Sequence, residues 1–80
     1  MMNKLKKLRM NLGLSQKEFS EKIGINFRTY QMYEQGVKSI ENAHISTILK
    51  ICNGLNCKLK DIIEDPKLHD MLQKYERRGE

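Results

Sequence analysis

Residues 15–36 read SQKEFSEKIGINFRTYQMYEQG, and how this stretch folds decides the architecture of the chain. Ser15 and Glu18 have the S-x-x-E spacing of a capping box, in which each side chain satisfies a free backbone N–H at a helix start. Phe19 and Ile23 lie four apart and share one apolar face, while Lys17, Glu18, Glu21 and Lys22 face water. Ser20, beside Phe19, is small enough to let a following helix approach closely. Gly24 falls where the helix must stop, and glycine accepts the left-handed conformation of a C-terminal cap without a Cβ clash. Ile25 and Asn26 lead into a second helical pattern that runs to about Gln35, with Gly36 as its stop. At about 100° per residue, Tyr30 and Tyr33, joined by Ile25, form the inward side of this helix. Arg28, Met32 and Gln35 point away from Tyr30, with Gln31 and Phe27 on the flanks.

Two short helices joined by a tight turn have the geometry of a helix-turn-helix. Outward from it, residues 2–12 read as a helix with Leu5, Leu8 and Leu12 on one face, ended by Gly13, with Leu14 packing inward at the corner. Residues 37–42 read as a loop anchored by Ile40. Asn42 is the expected N-cap of a helix through Cys52 whose stripe is Ile45, Ile48, Leu49 and Cys52. Asn53-Gly54 is the expected stop, with Leu55 closing the core. A short fifth helix over about 58–64 contributes Leu59, Ile62 and Ile63. Asp65-Pro66 then breaks the chain. A last helix over about 67–77 carries Leu68, Met71, Leu72 and Tyr75 at i, i+3, i+4 and i+7.

Composition narrows the function. Eighty residues make one small domain, 39% hydrophobic and 31% charged, which fits an ordered, mostly helical globule. No apolar run approaches the roughly 20 residues that span a bilayer, and no signal-peptide pattern is present, so the chain is expected to be cytoplasmic, with no membrane partner. The net charge of +5 is unevenly placed. Residues 1–40 hold eight Lys/Arg against three Asp/Glu, and residues 41–80 hold seven of each, so the whole excess lies in the half carrying the two-helix unit. That suits a polyanion. Cys52 and Cys57 do not suggest a disulfide scaffold, and with His44 and His69 they match no common zinc spacing, so no metal is expected. No nucleophile–base constellation or phosphate loop is present, so neither an enzyme nor a cofactor is expected.

The segments LGLSQKEFSEKIG, IN and FRTYQMYEQG, followed by ISTILKICNGLNCKLKDII, resemble the Cro/phage-repressor type (Xre-like) helix-turn-helix family over about residues 3 to 64. The resemblance rests on Leu14-Ser15-Gln16, on Phe19-Ser20 at the usual Leu-Ala position, on Gly24, on Tyr33-Glu34-Gln35-Gly36, and on the tail Leu55, Leu59, Ile62-Ile63. It implies an all-α, compact five-helix repressor-type DNA-binding domain over 1–65, with 66–80 as an additional C-terminal helix and tail. Two features depart from the family pattern. The loop after Gly36 is about three residues longer and lacks its usual Pro, and Lys58 stands where a Ser or Thr cap is usual.

The resemblance also implies that the third helix lies in the major groove. By position, its base readers are Asn26, Phe27, Arg28, Gln31 and Met32, with Gln16 from the helix before. Their chemistry is suitable: Arg pairs with guanine O6 and N7, Gln with adenine N6 and N7, and apolar groups press on thymine methyls. Phosphate contacts are expected from the first-turn N–H groups of the Ser15 helix and from Lys17, Lys38, Ser39 and Asn42. In the family an Arg on the first helix pairs with the Glu of the Y-E-x-G position, here Arg9 with Glu34. One domain of this size reads a half-site, so double-stranded DNA would be bound by a two-fold homodimer. Leu68, Met71, Leu72 and Tyr75 either make that dimer contact or fold back over their own core. The implied function is a sequence-specific transcriptional regulator, a repressor acting by occlusion. The alternative is an antitoxin-like module of the same fold whose terminal helix binds a toxin or another regulator.

Overall fold

The computed structural model describes residues 3–78, which form five α-helices and, among those residues, no strand. They are α1 (Lys4–Asn11), α2 (Gln16–Ile23), α3 (Phe27–Gln35), α4 (Ile45–Leu55) and α5 (Pro66–Arg77), with 3-10 turns at Ile40–Asn42 and Leu59–Asp61. The all-α architecture is as expected. Helices α2 and α3 meet through Phe19 and Tyr30, both fully buried, with ring centroids 5.1 Å apart and tilted at 59°. Ile23 from α2, Leu5 from α1, Ile51, Cys52 and Leu55 from α4, and Ile62 beyond it complete the core. Each such side chain contributes roughly 1.5–3 kcal/mol on burial.

The capping chemistry of α2 is complete. Ser15 Oγ accepts from Glu18 N at 3.0 Å, and Ser15 N donates to the Glu18 carboxylate at 2.9 Å. Gly24 takes the left-handed conformation at φ 71°. Helix α1 starts at Lys4, with Asn3 as its N-cap, residue 2 of the expected helix lying outside the described residues; it ends at Asn11, which leaves Leu12 41% exposed. Arg9 takes the inward position instead.

Four expectations about the second half are corrected. Asn42 does not cap α4. Its own N–H donates to Ser39 O within the 3-10 turn, and α4 begins later, with His44 at the cap position and no side-chain cap bond. The inward stripe of α4 is Ile48, Ile51, Cys52 and Leu55, while Ile45 is 63% and Leu49 51% exposed. The expected helix over 58–64 is a single 3-10 turn, because the amides of Glu64 and Asp65, which would extend it, both donate to Glu41 Oε2 at 2.9 Å.

Gly54 is inside α4, not at its end; Asn56, at φ 54°, is the left-handed cap. A Cβ at Gly54 would collide with the Ile23 side chain and sit 3.1 Å from the Phe19 ring. Glycine is therefore where α4 crosses α2. An alanine in an open helix site stabilises by about 0.5–1 kcal/mol, whereas overpacking costs about 1–3 kcal/mol. Gly54→Ala should lower the urea midpoint with an unchanged slope, and Asn56→Gly should leave it unchanged or raise it.

Candidate nucleic-acid interface

The outward side of α3 is built by its two ends. At its start Asn26 Oδ1 accepts from Arg28 N at 2.9 Å and Thr29 N at 3.3 Å, so this expected base reader is also the helix cap, with its amide N–H groups left over. At its end Gly36 is left-handed, and the amides of Val37 and Lys38 both donate to Met32 O. Between these ends Phe27, Arg28, Gln31, Met32 and Gln35 line one shallow depression together with Val37, which is 70% exposed. Arg28 is exposed, and among the described residues it has no ion-pair partner, so its five donors face outward. Val37 was not anticipated; as a loop residue beyond the helix it lies outside any helical periodicity.

The inward side of α3 is held by charge. Arg9 Nε and Nη2 donate to the two oxygens of Glu34 at 2.9 and 2.7 Å, and Nη1 donates to Leu14 O at 2.7 Å. The Arg9 and Glu34 side chains are only 9% and 1% exposed. Burial by itself raises the Glu34 carboxyl, but the hydrogen bonds it accepts, led by those from Arg9, outweigh this and hold it below the ordinary carboxylate range. Its carboxylate in turn raises Arg9. The Tyr30 hydroxyl lies close enough to feel both charges yet has no hydrogen-bond partner among the described residues, and burial pushes it upward.

Gln16 lies between the two sides. Its Nε2 donates to Glu34 Oε1 at 3.2 Å, and its Oε1 accepts from Gln31 Nε2 at 3.2 Å. Another residue went unanticipated in the sequence. Asn3 caps α1 by accepting from Lys6 N at 3.0 Å, and its amide donates to Tyr33 O and Glu34 O at 3.0 and 2.7 Å. An Asn before a periodic run is a readable N-cap signal, but its reach to α3 is visible only in three dimensions.

A family model for the helix-turn-helix matches residues 5–62, well over half of the chain. The chain belongs to the Cro/phage-repressor type (Xre-like) helix-turn-helix family. It is thereby a DNA-binding helix-turn-helix regulator, of a family that is generally non-enzymatic. Neither the curated proteins nor the solved structures give a significant match.

In this helix-turn-helix the expected phosphate contacts fall into two groups. Ser15 and Lys17 stand at the start of α2, with the Ser15 oxygen engaged as a cap acceptor and its O–H still able to donate. Lys38, Ser39 and Asn42 line a second depression with Tyr33 and His44, and Ser39 Oγ accepts from Glu41 N at 3.3 Å. His44 was not singled out for this position. Burial pushes the Cys57 thiol up to about 12 and raises Cys52, which keeps both protonated. Among the described residues no group of three or more His, Cys, Asp and Glu is placed to hold a metal ion, and no helix is long and apolar enough to cross a membrane.

A lowered folded pKa at Glu34 means stability that is present above the ordinary value of 4.5 and lost as pH falls through the depressed one. Unfolding free energy should therefore decline on acidification below about pH 4.5. Glu34→Gln should cost about 3–5 kcal/mol at neutral pH by orphaning buried Arg9. It should also flatten that acid slope, which denaturant titrations across pH would measure.

Proposed function

We propose that this protein is a transcriptional repressor that places α3 in the major groove of a two-fold operator as a homodimer and acts by occluding it. The observation that carries the reading is the outward face of α3, where exposed Arg28 stands among Gln31, Met32 and Phe27 while Tyr30 and Glu34 are buried behind. Arg28 and Gln31, with the spare amide of Asn26, supply donors and acceptors to base edges, and Phe27 and Met32 supply apolar contact for thymine methyls. Ser15, Lys17, Lys38, Ser39 and Asn42 supply sequence-independent affinity.

The dimer contact is assigned to α5. No α5 residue is buried, and Met71 and Tyr75 are 62% and 73% exposed. Leu68, Met71, Leu72 and Tyr75 line an apolar groove of about 320 Å³ against Ile40, Ile48 and Leu59. With Leu68 and Leu72 half-buried and Met71 and Tyr75 open, a partly uncovered stripe of this kind favours a protein contact. The same surface supports the second reading, in which the partner is a toxin or another regulator. Light scattering of the full chain decides between them: a dimer that Met71→Glu dissociates supports self-association, and a monomer supports the second.

Selection of bound sequences from random duplex DNA at two salt concentrations tests the first reading, with a symmetric motif as the expected result. Arg28→Ala should cost about 1–3 kcal/mol on the selected site and relax preference at one position. Lys38→Ala should weaken specific and random DNA alike and reduce the salt slope by about one. Equal losses on both DNAs from Arg28→Ala would remove it from the base readers.

A further inference from the structure

Resting on the DNA-reading function just given, we propose that Gln16 is a positioning residue that makes Gln31 discriminate adenine from guanine. Glu34 is a buried carboxylate and can only accept, so the Gln16 amide must turn its NH2 toward it. That leaves Gln16 Oε1 facing Gln31, which must answer with its own NH2. The polarity of both amides is thus set by the charge of Glu34, itself locked by the two hydrogen bonds from Arg9.

This has a chemical consequence at the groove. An unrestrained Gln offers either two N–H groups, which match the paired acceptors N7 and O6 of guanine, or one N–H and one oxygen, which match N7 and N6–H of adenine. With one N–H committed to Gln16, Gln31 retains one N–H and its oxygen. The two-donor arrangement is lost and the adenine arrangement is kept. The discrimination therefore originates in a side chain that need not touch the base.

Two measurements test this. In the free protein, the side-chain NH2 groups of Gln16 and Gln31 should each show one proton shifted and protected from exchange by NMR. Gln35, exposed and outside the chain of bonds, serves as the unprotected reference. Signals from Gln16 and Gln31 indistinguishable from those of Gln35 would overturn the proposal without involving DNA. Then, in selections from random duplexes, the wild-type motif should hold an adenine preferred over guanine by about tenfold or more at the position that Gln31→Ala erases. Gln16→Met should narrow that ratio to less than about threefold while leaving the other positions in place, and in a Gln31→Ala background it should change nothing further at that position. An unchanged ratio in Gln16→Met, a guanine at that position, or an equal loss of affinity in both backgrounds would overturn the proposal. The last result would make Gln16 a direct contact. Protected amides in a protein that selects no motif would instead overturn the DNA-reading function on which the proposal rests.

Discussion

The Arg9–Glu34 pair is the interaction on which the placement of α3 depends. Helix α1 buries only Leu5 and Arg9, and α3 buries only Tyr30 and Glu34, so half of what these two helices contribute to the interior is one ion pair. A buried pair of charges is costly to desolvate and repays that cost only when its geometry is good and its remaining donors are used. Both conditions hold here. The contact is bidentate, and the third guanidinium nitrogen donates to Leu14 O at 2.7 Å, at the corner that leads into α2. One side chain on α1 therefore fixes α3 and the chain just ahead of α2 together.

Other attachments act on the same helix from the same side. The Phe19–Tyr30 contact holds its middle, and Asn3 caps its last carbonyls while starting α1. Because every strong attachment is inward, the outward side of α3 is free of internal commitments, apart from the bond between Gln31 and Gln16. A helix that presents side chains to a ligand gains from being held in this way, since a rigid support avoids ordering costs on binding. The one exception couples the outward face to the buried charge.

The stretch from Ser15 to Gly36 was legible because its signals are local and reinforce one another. The capping box at Ser15, the glycine stop at Gly24 and the four-residue spacing of Phe19 and Ile23 between them agree with one another, and it is the agreement that leaves one reading. The second half was less so for definable reasons. In α4, Ile45, Ile48, Leu49 and Cys52 satisfy helical spacing, and so do Ile48, Ile51, Cys52 and Leu55. The two frames share Ile48 and Cys52, and periodicity cannot choose between them. Read as a stop, Gly54 puts Leu55 in the core but beyond the helix, whereas its absent Cβ is what lets α4 lie against Ile23 and Phe19. The bonds from Glu64 and Asp65 to Glu41 span more than twenty residues, and no local pattern announces them. The outward face of α3 was readable as a set of side chains, but the link from Gln31 through Gln16 to Glu34 was not, because it joins three positions only after the fold is made.

Helix α5 follows a different logic from the other four. Its root is pinned by polar contacts: Glu41 takes the amides that precede it, Lys4 Nζ donates to Ile63 O at 2.8 Å, and His69 Nε2 donates to the same carbonyl at 2.6 Å. Asp65 caps it by accepting from Lys67 N at 2.9 Å, and Pro66 occupies the first turn, where its missing N–H costs nothing. Its direction is thus set with little burial: Leu68 and Leu72 are half-buried, while Met71 and Tyr75 stay largely in water. Burying apolar surface yields about 25 cal/mol per Å², and an isolated helix of 12 residues is marginal in water. The free energy that α5 leaves unrealised in the single chain is therefore available on association, and the pinned root ensures that association there would act on the body carrying α3.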